Sequence, residues 1–119
     1  MAPNHNLHSS SAHLGLAESL PVVAESTTSR VLISNSMMRV VQFTFDTGQL
    51  LSQHSTPRAV SCLLNEGRML WTLGTEELTM SAGDVIYLAP GQPHALVAEE
   101  PSRLTLTMVE VDSGEGESA

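Results

Sequence analysis

The side chains with the most chemistry to offer are five histidines, one cysteine and five arginines; lysine is absent. Without lysine, the chain has neither a Schiff-base amine nor a lysine general base of its own. Cys62 sits in the apolar run from Val60 to Leu64, where a thiol packs as a small inert hydrophobe rather than serving as a nucleophile. Being single, it forms no disulfide within the chain, which fits a reducing compartment. His5, His8 and His13 fall in a polar stretch whose spacing holds them on no rigid surface. His54 and His94 differ, because each stands at one end of a short β-like segment. An imidazole so placed can ligate a metal, take part in a hydrogen bond, or titrate near neutrality. No Gly-rich phosphate loop, Gly-x-Ser-x-Gly elbow or cysteine pair accompanies them.

The elements that must position these two rings are strands. From Arg30 onward the chain reads as short apolar or alternating stretches: Arg30–Ser34, Met38–Phe45, Leu50–His54, Val60–Leu64, Arg68–Leu73, Glu77–Met80, Val85–Leu88, His94–Ala98 and Arg103–Val111. In the second, Val41, Phe43 and Phe45 fall on one face, with Val40, Gln42 and Thr44 on the other. Turn residues separate the stretches, among them Asp46-Thr47-Gly48, Asn65-Glu66-Gly67, Gly74-Thr75-Glu76 and the rigid run Ala89–Pro93. Gly67, Gly83 and Gly91 each begin or end a stretch, where positive φ is often needed. The pattern predicts an all-β, antiparallel sandwich or barrel of about nine or ten short strands. Low aromatic content predicts an interior lined mainly by aliphatic groups.

At 119 residues the chain suits one domain. Residues 1–20 are expected to form a mobile polar arm, with a short helical turn over Leu14–Leu20 stopped before Pro21. Residues 21–111 form the barrel domain, and residues 112–119 an acidic flexible tail. The formal net charge is −8, and the arginines are not clustered. Nucleic acid and anionic membrane surfaces are therefore excluded as partners, since both are bound through clustered cations. No run is long and apolar enough for a membrane span, and the N-terminus shows no basic and apolar leader, so a cytoplasmic location is expected.

Two segments carry a family resemblance: Gly48-Gln-Leu-Leu-Ser-Gln-His54-Ser-Thr56 through Gly67, and Gly83-Asp-Val-Ile-Tyr-Leu-Ala-Pro90-Gly91-Gln-Pro-His94 through Ala98. Their order and spacing resemble the two motifs of the cupin superfamily. The resemblance implies a single antiparallel, jelly-roll-like (RmlC-like) β-barrel of the short one-barrel form common among uncharacterised bacterial cupins. It also implies a metal site, in which two histidines and a glutamate of the first motif and a histidine of the second hold one divalent ion inside the barrel. Here the second histidine position is Thr56 and the glutamate position is Val60, so only His54 and His94 remain. The family geometry brings these two near one another, with Thr56, Val60, Trp71, Tyr87 and Met108 as further candidates to line the pocket. Two neutral imidazoles alone make a poor metal site.

Three readings of the pair stay open. One is a vacated metal site in which the rings hydrogen-bond each other, Thr56 or water. The second is a weak two-histidine site for Zn, Ni, Mn or Fe, completed by waters or an anion. The third is a metal-free acid–base pair, for which no carboxylate partner is visible. The corresponding functions are a module that holds a small, largely apolar molecule, a metal-dependent oxygenase or isomerase, and a homodimeric interaction or structural module paired through sheet faces or by exchange of Pro21–Ser34. The residues select neither a substrate nor a reaction.

Overall fold

The computed structural model describes residues 6–111. His5 and the acidic tail from Asp112 lie outside the described residues. A short helix α1 (Leu16–Ser19) precedes nine strands: β1 (Thr27–Ser34), β2 (Met38–Phe45), β3 (Leu50–His54), β4 (Ala59–Glu66), β5 (Arg68–Leu73), β6 (Glu76–Ser81), β7 (Val85–Leu88), β8 (His94–Ala98) and β9 (Ser102–Val109). All strand pairs are antiparallel. They form a five-stranded sheet in the order β1-β2-β9-β4-β7 and a four-stranded sheet in the order β3-β8-β5-β6.

Alternation along each strand decides what lies between the sheets. Phe45, Val60, Cys62, Leu64, Leu88 and Leu104 come from the larger sheet; Met69, Trp71, Met80, Leu96 and Ala98 come from the smaller. Together they make one buried cluster, and this apolar burial is the main force closing the two sheets on each other. The turns are set by backbone chemistry. Gly67, between β4 and β5, takes φ 96°, and Gly91, before β8, takes φ 83°. Most L-residues avoid that region.

The outer face of the larger sheet carries buried polar groups. Gln42 and Thr44 on β2 and Arg103 on β9 are all buried there. Their cover is the N-terminal segment. Arg103 donates to the carbonyls of Leu20 (2.9 Å) and Ala17 (3.4 Å), and to Gln42 Oε1 (2.9 Å). Its Nε faces Glu66 Oε2 at 3.2 Å. Arg30 holds the Ser19 carbonyl and hydroxyl at 2.9 and 3.0 Å, and Leu20 is buried. Residues 17–20 thus form a strap fastened to the sheet, so the part assigned to the arm by composition reaches the domain before residue 21. Strand β1 begins at Thr27, three residues earlier than its apolar pattern indicates, and pairs with β2 from Thr27↔Phe45 to Ser34↔Arg39, with one register shift between Val31 and Ile33.

Candidate functional site

His54 closes β3 and His94 opens β8, and the two are direct cross-strand partners. Their ring centroids lie 4.2 Å apart at 58°. This pairing depends on an irregularity in β3. Leu51 pairs with Leu96, whereas His54 pairs with His94, so three steps on β3 match two on β8. In a regular strand, residues three apart point to opposite faces. The extra residue between Leu51 and His54 reverses that parity, and both side chains border the space between the sheets, His54 at its exposed rim.

Each ring is oriented by the main chain. His54 Nδ1 lies 2.8 Å from the Ser52 carbonyl, and His94 Nδ1 lies 2.9 Å from the Gln92 carbonyl. A carbonyl oxygen only accepts, so in both cases Nδ1 carries the proton. In the neutral ring, Nε2 is then a bare acceptor. His94 is 5% exposed. Burial holds its pKa below the ordinary histidine value and outweighs the Gln92 carbonyl, and the neighbouring His54 ring lowers it further. The loop before β8 is tied to the first motif segment by the Gly91 N–H, which donates to the Thr56 carbonyl at 2.7 Å.

The rings border a cavity of about 190 Å³ between the sheets. The smaller sheet contributes Leu51, His54, Trp71, His94 and Leu96; the larger contributes Phe43, Val60, Cys62, Leu88, Leu106 and Met108; Thr56 completes the wall from the β3–β4 connection. Trp71 stacks near His94, with centroids 6.1 Å apart at 27°. Its indole N–H is buried with no hydrogen-bond partner. Six of the seven residues expected at the pocket stand at this wall: His54, Thr56, Val60, Trp71, His94 and Met108. Tyr87 does not. It is 64% exposed, because Ile86 and Leu88 take the inward positions of β7 and leave Val85 and Tyr87 outside. The run Val-Ile-Tyr-Leu is apolar at every position, so it carried no alternation from which to read the faces. Phe43, Leu51, Cys62, Leu88, Leu96 and Leu106 also line the cavity. Counting in twos from Val60 reaches Cys62, and in twos from His94 reaches Leu96; Leu51 needs the irregularity in β3. Desolvation pushes the Cys62 thiol up to about 12.

A family model for the cupin domain matches residues 41–110. The chain belongs to the cupin family. Its solved relatives agree with the architecture. A conserved protein of unknown function from Streptococcus pyogenes is 25% identical with a TM-score of 0.78, covering 91% of this chain and 95% of that one. A cupin superfamily protein from Desulfitobacterium hafniense is 16% identical with a TM-score of 0.78, covering 87% and 94%. An RmlC-like cupin from Desulfovibrio desulfuricans is 20% identical with a TM-score of 0.75, covering 85% and 97%. The comparison with curated protein sequences gives no match.

Cupins often hold a divalent metal, and the donor set here can be tested against that. The two free Nε2 acceptors have the tautomer a metal requires. The remaining positions do not supply ligands: Val60 is apolar, Thr56 offers only a hydroxyl, and the Cys62 thiol resists ionisation. Among the described residues no group of three His, Cys, Asp or Glu side chains converges. The described residues of this cupin therefore do not fit a four-ligand metal centre. Among the described residues, no helix is long and apolar enough to cross a membrane.

Proposed function

We propose that this cupin is a binding module that holds one small, largely apolar molecule in the cavity bordered by His54 and His94. The observation that carries the reading is the wall itself: aliphatic, aromatic and sulfur-bearing side chains surround about 190 Å³ of space, with the two imidazoles as its main polar groups. Where the family places a second histidine and a glutamate, Thr56 and Val60 make the wall less polar. An apolar cavity of about 150 Å³ is enough to take up benzene, so this one suits a molecule built around a single small ring. Burial of that ring's surface supplies the affinity, at about 25 cal/mol per Å².

Trp71 is the sole tryptophan and lies in the wall, so it reports on the cavity. Benzene titrated into the full chain is expected to change Trp71 fluorescence saturably. Val60→Phe, which fills the space from β4, is expected to abolish that change. No saturable change in the parent protein, or an equal change in the filled variant, would rule the reading out.

A second reading is favoured by the free Nε2 acceptors: a metal-dependent enzyme whose weak site rests on His54 and His94. Elemental analysis of protein purified without chelators or affinity metals tests it. Stoichiometric metal that disappears in His94→Ala would establish this reading in place of the first. A homodimer is the third reading. It is supported by exposed Leu63, Val85 and Tyr87 near the β7 edge, and sedimentation of the full chain as a monomer would remove it. A cytoplasmic location goes with all three.

A further inference from the structure

The polar groups of the cavity say more about the occupant than its volume does. None of the residues lining it is Asp, Glu, Lys or Arg. An ion placed there would lose its hydration without a counter-charge, so the occupant is neutral. One buried acceptor and one buried donor await it. The acceptor is Nε2 of His94, left bare by the Nδ1 bond to the Gln92 carbonyl; the Nε2 of His54 belongs to an exposed side chain and is open to water. The donor is the indole N–H of Trp71, a residue only 1% exposed, with that nitrogen unpaired. Native interiors rarely leave such a donor without a partner. A single hydroxyl serves both, because it donates its one proton to His94 Nε2 and accepts the indole N–H on a lone pair.

Resting on the binding reading above, we infer that the occupant is a neutral, ring-sized molecule carrying a hydroxyl group, which donates to His94 and accepts from Trp71. The ring packs on the aliphatic wall, with Val60 and Leu106 among its contacts. The hydroxyl lies against the His54–His94 side.

The test compares phenol, toluene and benzoate, which share a ring but differ in the group it carries. Each is titrated calorimetrically into the full chain at pH 7.5. In a wholly apolar cavity, toluene would be preferred over phenol by ten-fold or more, because the hydroxyl would be stripped of water and left unpaired. The inference expects the reverse: phenol binds at least as tightly as toluene, and benzoate at least ten-fold more weakly than phenol. Any preference for toluene, or equal binding of benzoate, overturns the inference and leaves the apolar-binding reading in place. If none of the three binds, both fall.

Trp71→Phe removes the indole N–H and keeps an aromatic ring. It is expected to weaken phenol about ten-fold and leave toluene within two- to three-fold. Undiminished phenol binding in that variant would overturn the role of Trp71. If the variant loses both probes, the comparison in the unaltered protein decides alone.

Discussion

Gly67 offers the sharpest test of how β4 is joined to β5, and hence of how Trp71 is delivered to the cavity. A Cβ built on Gly67 would lie 2.1 Å from Ser102 Oγ, 2.5 Å from the Pro101 carbonyl oxygen and 2.7 Å from Ser102 Cα. Two of those three atoms are backbone and cannot swing aside. The third is engaged: Ser102 Oγ donates to the Glu100 carbonyl at 2.7 Å and accepts from the Arg68 N–H at 3.2 Å. Gly67→Ala therefore meets two penalties. Holding an alanine at φ 96° costs about 1–2 kcal/mol. Overpacking against fixed backbone adds about 1–3 kcal/mol, and disturbing the Ser102 bonds about 1 kcal/mol more. The expected loss is about 3–6 kcal/mol, a large share of the roughly 5–15 kcal/mol that holds a domain folded.

Gly91→Ala isolates the first penalty. Gly91 has a similar φ of 83°, but nothing lies within 4 Å of its added Cβ. Its expected loss is about 1–2 kcal/mol. Urea unfolding of the parent and both variants gives the difference directly, with the slope checked for constancy. The reasoning is refuted if the two variants lose equal stability, or if Gly67→Ala loses less than about 1 kcal/mol.

Three further outcomes are expected. Thr56→His with Val60→Glu places ligands beside the existing pair. Without metal, the carboxylate buried at the 2%-exposed Val60 position should destabilise the protein; with zinc or nickel, the melting temperature should rise. Absence of a metal-dependent rise would show that positions 56 and 60 do not converge with His54 and His94. For His94, the folded state binds the proton less readily than the unfolded chain, so stability should fall as pH drops through about 6.5 and level off below the depressed folded pKa. Denaturant midpoints between pH 8 and 5 should show a shallower slope in His94→Gln, and an unchanged slope would count against the burial argument. Cys62, buried and with its thiol pushed up to about 12, should resist iodoacetamide at pH 8 in native protein and react in urea. Stoichiometric native labelling within minutes would contradict this.

The strands were legible because alternation and turn chemistry agree: Val41, Phe43 and Phe45 mark one face of β2, and Gly67, Gly83 and Gly91 stand where positive φ is required. The nearness of His54 and His94 was legible only through the resemblance of the two motif segments to the cupin motifs. Four features were not. The irregularity in β3 leaves no mark in Leu-Leu-Ser-Gln-His, since an extra residue is a property of the pairing, not of one strand. Tyr87 sits in a run without alternation, so its outward face is decided by the neighbours of β7. Arg103 reads as a surface cation, and its burial depends on carbonyls at Ala17 and Leu20, more than eighty positions away. The start of β1 was missed for a related reason, since Thr27, Thr28 and Ser29 are polar and are ordered by their pairing with β2.

The place of β9 in the larger sheet bears on how this protein is made. β9 lies between β2 and β4, and it is the last strand to leave the ribosome. Until Ser102–Val109 emerges, the pairs β1-β2 and β4-β7 have no common neighbour. Each presents an open edge, and the cavity lacks Leu106 and Met108. Folding of this domain must therefore wait until β9 has emerged, as for other topologies dominated by distant pairings. Nascent chains stalled before residue 102 should be the species that chaperones hold and proteases remove, whereas chains in which Val109 has emerged can close the sheet.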